Sequence, residues 1–266
     1  MRGMMWTVYA STIMEAYTRM CLDATDGVYR FRSRADPISV VVSLASTQFV
    51  TRTELDTLSE VSGCRSGPFL GEASMSHYWH VANAVFPQVR YLACKRDMHR
   101  LYQDEIFNRT FTYTGRLARA GIDGKLNLID WFLRRMRSPH AKCPWYFLPF
   151  FQPDEAHKEA AKATFALRRN GPGGSFCLAA IHLLPYRVGT QQRVHTNLMI
   201  RNWGASRWLG NMAGIGYMHA ALAKELPEWQ FGSMTIFASS VLFDLKSPVI
   251  AQLAKVSTRI LKRGQV

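Results

Sequence analysis

Val194, Thr196, Leu198 and Ile200 alternate with His195, Asn197, Met199 and Arg201. A period of two residues places the first set on one face of a strand and the second set on the other. One face is therefore buried and the other presents polar groups, so this strand needs a layer packed behind it. The segments around it fit that demand. Ser175–Arg187 reads as an apolar strand, and Gly189-Thr-Gln-Gln turns the chain. Asn211–Leu226 reads as a helix built on Ile215, Met218, Ala221 and Leu222, stopped by Pro227. Ser233–Phe243 reads as a last strand. The order helix, strand, strand, helix, strand predicts an α+β fold, a mixed sheet packed with helices, rather than a doubly wound one.

Upstream, residues 5–21 are read as a helix, with Tyr9, Ile13, Met14 and Tyr17 near helical spacing. Pro37-Ile-Ser-Val-Val-Val-Ser-Leu reads as a buried strand. Residues 52–63 and 73–83 read as helices, and Gly63–Gly71 as a loop. Leu126, Ile129, Leu133 and Met136 share one helical face, with Arg134, Arg135 and Arg137 largely off it. Asp154–Arg169 is a further helix, broken by Asn170-Gly-Pro-Gly-Gly.

With 266 residues, 48% of them hydrophobic, the chain can bury one large core, and a single domain over 1–266 is expected. Mean hydropathy is −0.10, and no apolar run reaches the roughly 18 residues of a membrane span. The amino-terminal stretch makes a poor signal peptide, because Glu15 interrupts it early. Five cysteines, at 21, 64, 94, 143 and 177, form no CxxC pair. Reduced thiols in a cytoplasmic protein fit better than a disulfide framework or a zinc site, so no metal is expected. The net charge of +14 favours anionic partners, either nucleic acid or a phosphorylated small molecule.

Isolated motifs are weak. Gly171-Pro-Gly-Gly lacks the Gly-Lys-Ser/Thr ending of a phosphate loop and leads into a strand, so it reads as a turn. His77 and His80 share a helix face but lack a third ligand. Cys177 follows a glycine-rich turn and opens an apolar strand. A cation that lowered its pKa would make it a nucleophile; otherwise it is an inert buried thiol.

Several segments, taken in order, resemble the thymidylate synthase and pyrimidine nucleotide hydroxymethylase family. Tyr113-Thr-Gly-Arg116-Leu resembles its YGxR segment, and Leu128–Pro139 the helix and turn that follow. Lys142-Cys143-Pro-Trp stands where the family has an arginine pair. Phe176-Cys177-Leu matches its catalytic cysteine, and Arg201-Asn202 resembles the start of its RSxD motif. Gly210-Asn211 resembles its base-reading asparagine and helix, and Gly232–Phe243 its closing strand. The resemblance covers roughly 73–245 and leaves 1–72 as a divergent amino-terminal part. Aligning Leu209-Gly210 on the family's Leu-Gly pair instead puts Gly214 at the base-reading position.

The resemblance implies a single domain of thymidylate synthase-like fold and a one-carbon transferase. In the family a cysteine thiolate attacks C6 of a pyrimidine nucleotide, and C5 takes a methyl or hydroxymethyl unit from 5,10-methylenetetrahydrofolate. Here Cys177 would be the nucleophile. Arg201, Lys142 and Arg116 would serve the phosphate, and Arg201 or Lys142 would supply the field that ionises the thiol. Asn211 would read the base, and Asn202 completes the substrate-binding set. A homodimer is implied, and no membrane.

The chain also departs from the pattern. Gly204 replaces the RSxD aspartate, Val241-Leu-Phe243 replaces His-x-Tyr, and Ser76 stands where a glutamate is expected. An altered substrate or a loss of catalysis follows. Three classes therefore stay open: a C5 methyltransferase or hydroxymethyltransferase on a pyrimidine nucleotide or related heterocycle, a non-catalytic nucleotide-binding relative acting as a partner subunit, and a nucleic-acid-binding protein.

Overall fold

The structure, a computed structural model, describes residues 4–26, 38–46, 48–65, 75–103, 113–118, 127–137, 146–149 and 178–264. The first half gives β1 (Met4–Ala10), α1 (Ile13–Thr25), β2 (Ile38–Leu44), α2 (Arg52–Ser62), α3 (His77–Val85), α4 (Gln88–Ala93) and α5 (Met98–Gln103). Then come α6 (Tyr113–Ala118), α7 (Leu128–Arg137), β3 (Tyr146–Pro149), β4 (Leu178–Val188) and β5 (Gln191–Gly204). A 3-10 turn (Ala205–Arg207) leads to α8 (Trp208–Glu225), β6 (Trp229–Leu242) and α9 (Ser247–Arg263). The helix expected over Asp154–Arg169 lies outside the described residues.

Six strands form one sheet in the order β1-β2-β6-β5-β4-β3. β1 and β2 are parallel, as are β5 and β6, while the remaining neighbours are antiparallel. This mixed sheet with helices packed on it is the expected α+β class. The divergent amino-terminal part supplies β1 and β2 to the same sheet, and its side chains join the same hydrophobic core as those of α9.

The reading of 5–21 as one helix is corrected: a strand occupies Met4–Ala10, and the helix starts only at Ile13. Trp6 and Val8 are buried while Met5 and Tyr9 are exposed, the alternation of a strand. Thr12 then caps the helix by accepting from the Glu15 backbone N–H, and Glu15 reaches back to accept from the Ser11 N–H. Ser/Thr-x-x-Glu is a helix-start signal, and it lies inside the segment read as continuous helix. The same device starts α2, where Thr51 and Glu54 form a capping box, and Gly63 ends it in the left-handed region at φ 64°.

β5 behaves as its alternation requires. Val194, Thr196, Leu198 and Ile200 are buried, and His195, Asn197, Met199 and Arg201 face the other way. The inner face packs on α8, which is buried almost all round and so carries apolar residues on every side. His219 of α8 is enclosed here against Thr196, its Nε2 2.7 Å from the threonine hydroxyl. Burial, with a smaller push from His195, takes its pKa down to about 3, so it is neutral near pH 7. On the outer face Thr7, Val41, Phe237 and Met199 are successive cross-strand neighbours.

α3 and α8 meet through small residues. A Cβ added at Gly210 would lie 2.6 Å from Val81 Cβ and 2.8 Å from Tyr78 O. One added at Gly214 would lie 2.6 Å from Ala82 O and from Val85 Cβ. Backbone cannot move aside as a rotamer does, so these glycines set the distance between the helices. Gly214→Ala gains about 1 kcal/mol of helix propensity but overpacks the contact by about 1–3 kcal/mol. Net destabilisation in urea titration is the expected outcome, and a more stable variant contradicts the contact.

Candidate functional site

Parallel strands joined by a helix direct their carboxyl ends and the helix amino terminus toward one crevice, where ligands of such units bind. β5, α8 and β6 form such a unit. Around this end the structure gathers Trp203, Ser206, Asn211, Asp244 and His77.

Asp244, just past β6, anchors the cluster. Its Oδ1 accepts from the Ser206 N–H at 2.9 Å, and its Oδ2 accepts from the Ser206 hydroxyl at 2.5 Å. A Cβ at Gly204 would lie 2.6 Å from Asp244 Oδ2. The carboxylate therefore fills the space where a side chain at Gly204 would start. Nothing local in the sequence marks Asp244 for this place; it arrives through the β5–β6 pairing.

α3 brings its first turn to the same cluster. His77 Nε2 donates to Ser206 O at 2.8 Å, which fixes the protonated nitrogen. Burial lowers the His77 pKa; the Ser206 carbonyl and Asp244 oppose that shift, and Arg207 adds to it. His80 is lowered too, by burial and then by His77 and Arg207. Ser76 donates its hydroxyl to Asp56 of α2. Among the described residues, no group of three His, Cys, Asp or Glu side chains could hold a metal.

The expected site residues are placed as follows. Asn211, in the first turn of α8, accepts at Oδ1 from Trp203 Nε1 at 3.1 Å. Its amide N–H groups make no hydrogen bond among the described residues. Asn202 accepts from the Ser240 hydroxyl. Arg201 is exposed on the outer face of β5, and its backbone carbonyl accepts from Ser239 Oγ at 2.6 Å. Cys177 and Lys142 lie outside the described residues, as does the side chain of Arg116, whose backbone belongs to α6. Gly214, the alternative base-reading position, faces α3 instead, with the Ala82 carbonyl where a side chain would start.

The strand register is informative at the start of β4. Leu178, the residue after Cys177, pairs with Ile200, the residue before Arg201. Ala180 then pairs with Met199, so Ala179 is an extra residue in a bulge. Bulges re-aim side chains beside functional sites. Leu178 also donates its N–H to the hydroxyl of Tyr113, from the Tyr113–Arg116 segment, at 3.3 Å. Cys21, by contrast, is a buried thiol whose pKa burial pushes up to about 12, so it is unreactive.

No helix among the described residues is long and apolar enough to cross a membrane. No protein-family model matches the chain, nor does any curated protein. Among solved structures, the chain is similar to the thymidylate synthase of T4 phage, with 11% identity and a TM-score of 0.47, over 89% of this chain and 79% of that one.

Proposed function

We propose that the chain is a one-carbon transferase acting at C5 of a pyrimidine nucleotide or a related heterocycle, with Cys177 as nucleophile. The observation that carries this reading is the β4–β5 register, in which the neighbours of Cys177 and Arg201 are paired across the bulge. A guanidinium near a thiol favours the thiolate. The thiolate adds to C6, the electron pair passes to C5, and C5 bonds to the one-carbon unit. The C5 proton then leaves together with the folate amine, which gives an exocyclic methylene. That methylene takes either hydride from the tetrahydrofolate, which becomes dihydrofolate, to give a methyl group, or water to give a hydroxymethyl group, as the C6–S bond breaks and the Cys177 thiolate is released.

Arg201, Lys142 and Arg116 are the proposed phosphate partners, and Asn202 contacts the substrate beside them. Asn211 offers its N–H donors to the edge of the base. Asp244 supplies a carboxylate beside Gly204 in place of the aspartate that this position lacks. An amide and a carboxylate beside an indole suit a planar heterocycle with donors and acceptors on its edge. That chemistry is shared by a pyrimidine and by the pterin of 5,10-methylenetetrahydrofolate, which supplies the one-carbon unit in this reading.

A second reading, a non-catalytic nucleotide-binding partner subunit, is favoured by Ser76. Where a carboxylate is expected, this position has a hydroxyl spent on Asp56. Incubation with methylenetetrahydrofolate and a panel of pyrimidine nucleotides separates the two. The first reading expects a C5-substituted product, with Cys177→Ser losing turnover while keeping its fold and nucleotide binding. Product from Cys177→Ser at the wild-type rate removes Cys177 from the mechanism. Nucleotide binding without product from the wild-type chain leaves the second reading.

Two copies of the chain are proposed to associate through the outer face of the sheet. Phe237 and Met199, paired across β5 and β6, are 44% and 47% exposed there. Phe237→Asp is expected to turn a dimer into a monomer in sedimentation, and an unchanged sedimentation coefficient contradicts that surface.

A further inference from the structure

A cavity of about 420 Å³ opens between α2, α3, α4 and α8, away from the carboxyl-end cluster. Its walls include Phe49, Trp79 and Tyr217, with Leu92 and Gln88 beside them. The rings brace one another: Phe49 and Tyr217 are 5.0 Å apart between centroids, and Trp79 and Tyr217 meet edge to face at 5.6 Å. Tyr217 donates its hydroxyl to Val50 O at 2.6 Å, which fixes the aromatic wall. Phe49 remains 50% exposed, a large apolar ring left at an opening rather than buried. The indole Nε1 of Trp79 is buried and has no hydrogen-bond partner among the described residues.

One cation stands at this aromatic wall. Arg52 holds its guanidinium carbon 5.6 Å from the centre of the Trp79 ring. Its Nε lies 3.5 Å from Asp56 Oδ2, and its side chain is 58% exposed. Arg52 is the first residue of α2, where the helix dipole disfavours positive charge. The cap is already made by Thr51 and Glu54, so Arg52 serves neither capping nor core packing. The Asp56 ion pair and the Trp79 ring hold the guanidinium beside the cavity. Apolar clefts of this size with one placed charge suit small amphipathic ligands.

We propose that this cavity binds a planar aromatic carboxylate. The ring lies in the cavity against the wall formed by Phe49, Trp79 and Tyr217, and the carboxylate takes the Nη donors of Arg52 in a bidentate pair. The proposal is independent of the one-carbon reading, since it uses none of those residues.

Titration of the full chain with 2-naphthoate and with the neutral 2-naphthamide tests it, read by calorimetry and ligand-observed NMR. Saturable binding of 2-naphthoate is expected, with the amide weaker by about tenfold, the size of one charge-assisted contact. Arg52→Gln is expected to erase that preference, Phe49→Ala to weaken both ligands, and Arg259→Gln, on the exposed face of α9, to change neither. Absence of saturation by 2-naphthoate overturns the proposal. Equal affinity for the two ligands, a preference that survives Arg52→Gln, or an equal loss in Arg259→Gln also overturns it, the last because the anion would then sit on general basic surface.

Discussion

The close approach of α8 to α3 sets the geometry that everything else uses. Gly210 and Gly214 leave no room for a side chain against Val81 and the Ala82 carbonyl, so the two helix axes are held at one separation. Buried α8 is the crossover between the parallel strands β5 and β6, and α3 is thereby fixed to the sheet. The first turn of α3 delivers Ser76 and His77 to the carboxyl-end cluster, and its third helical residue, Trp79, walls the aromatic cavity. Asn211 and Tyr217 of α8 do the same from the other side. One helix contact therefore positions two chemically different regions.

At the carboxyl end the polar groups are mostly paired with one another. Asp244 takes both donors of Ser206, His77 takes its carbonyl, and Trp203 takes the Asn211 oxygen. Such pairing restrains the relative orientations of these groups. Aromatic packing restrains them further. Trp208 contacts Trp6, Trp203 and Phe243 at centroid distances of 5.7, 6.4 and 5.6 Å.

Much of the fold was legible from periodicity. Val194–Arg201 announced a one-sided strand, and the apolar run before Pro227 announced α8. The stretch at 5–21 misled because Tyr9, Ile13 and Tyr17 happen to fall at helical spacing although a strand ends between them. The decisive sign, Thr12-x-x-Glu15, is only four residues long. Single-strand periodicity also says nothing about which strands pair, so the joining of β2 to β6 could not be read. The candidate site was less legible for the same reason. Arg201, Asn202 and Asn211 could be named from local motifs, but Asp244 reaches Gly204 only through strand pairing. Gly214 illustrates the converse: as a letter it was an open alternative for reading a base, and in the fold it is a helix contact.

Alkylation of Cys177 by iodoacetamide across pH, followed by mass spectrometry of the intact chain, tests the nucleophile assignment most directly. A thiolate stabilised by Arg201 gives a midpoint below the usual thiol pKa of about 8.5, and Arg201→Gln moves that midpoint upward. A Cys177 that resists alkylation, or that titrates at or above the ordinary thiol range and ignores Arg201→Gln, contradicts the assignment.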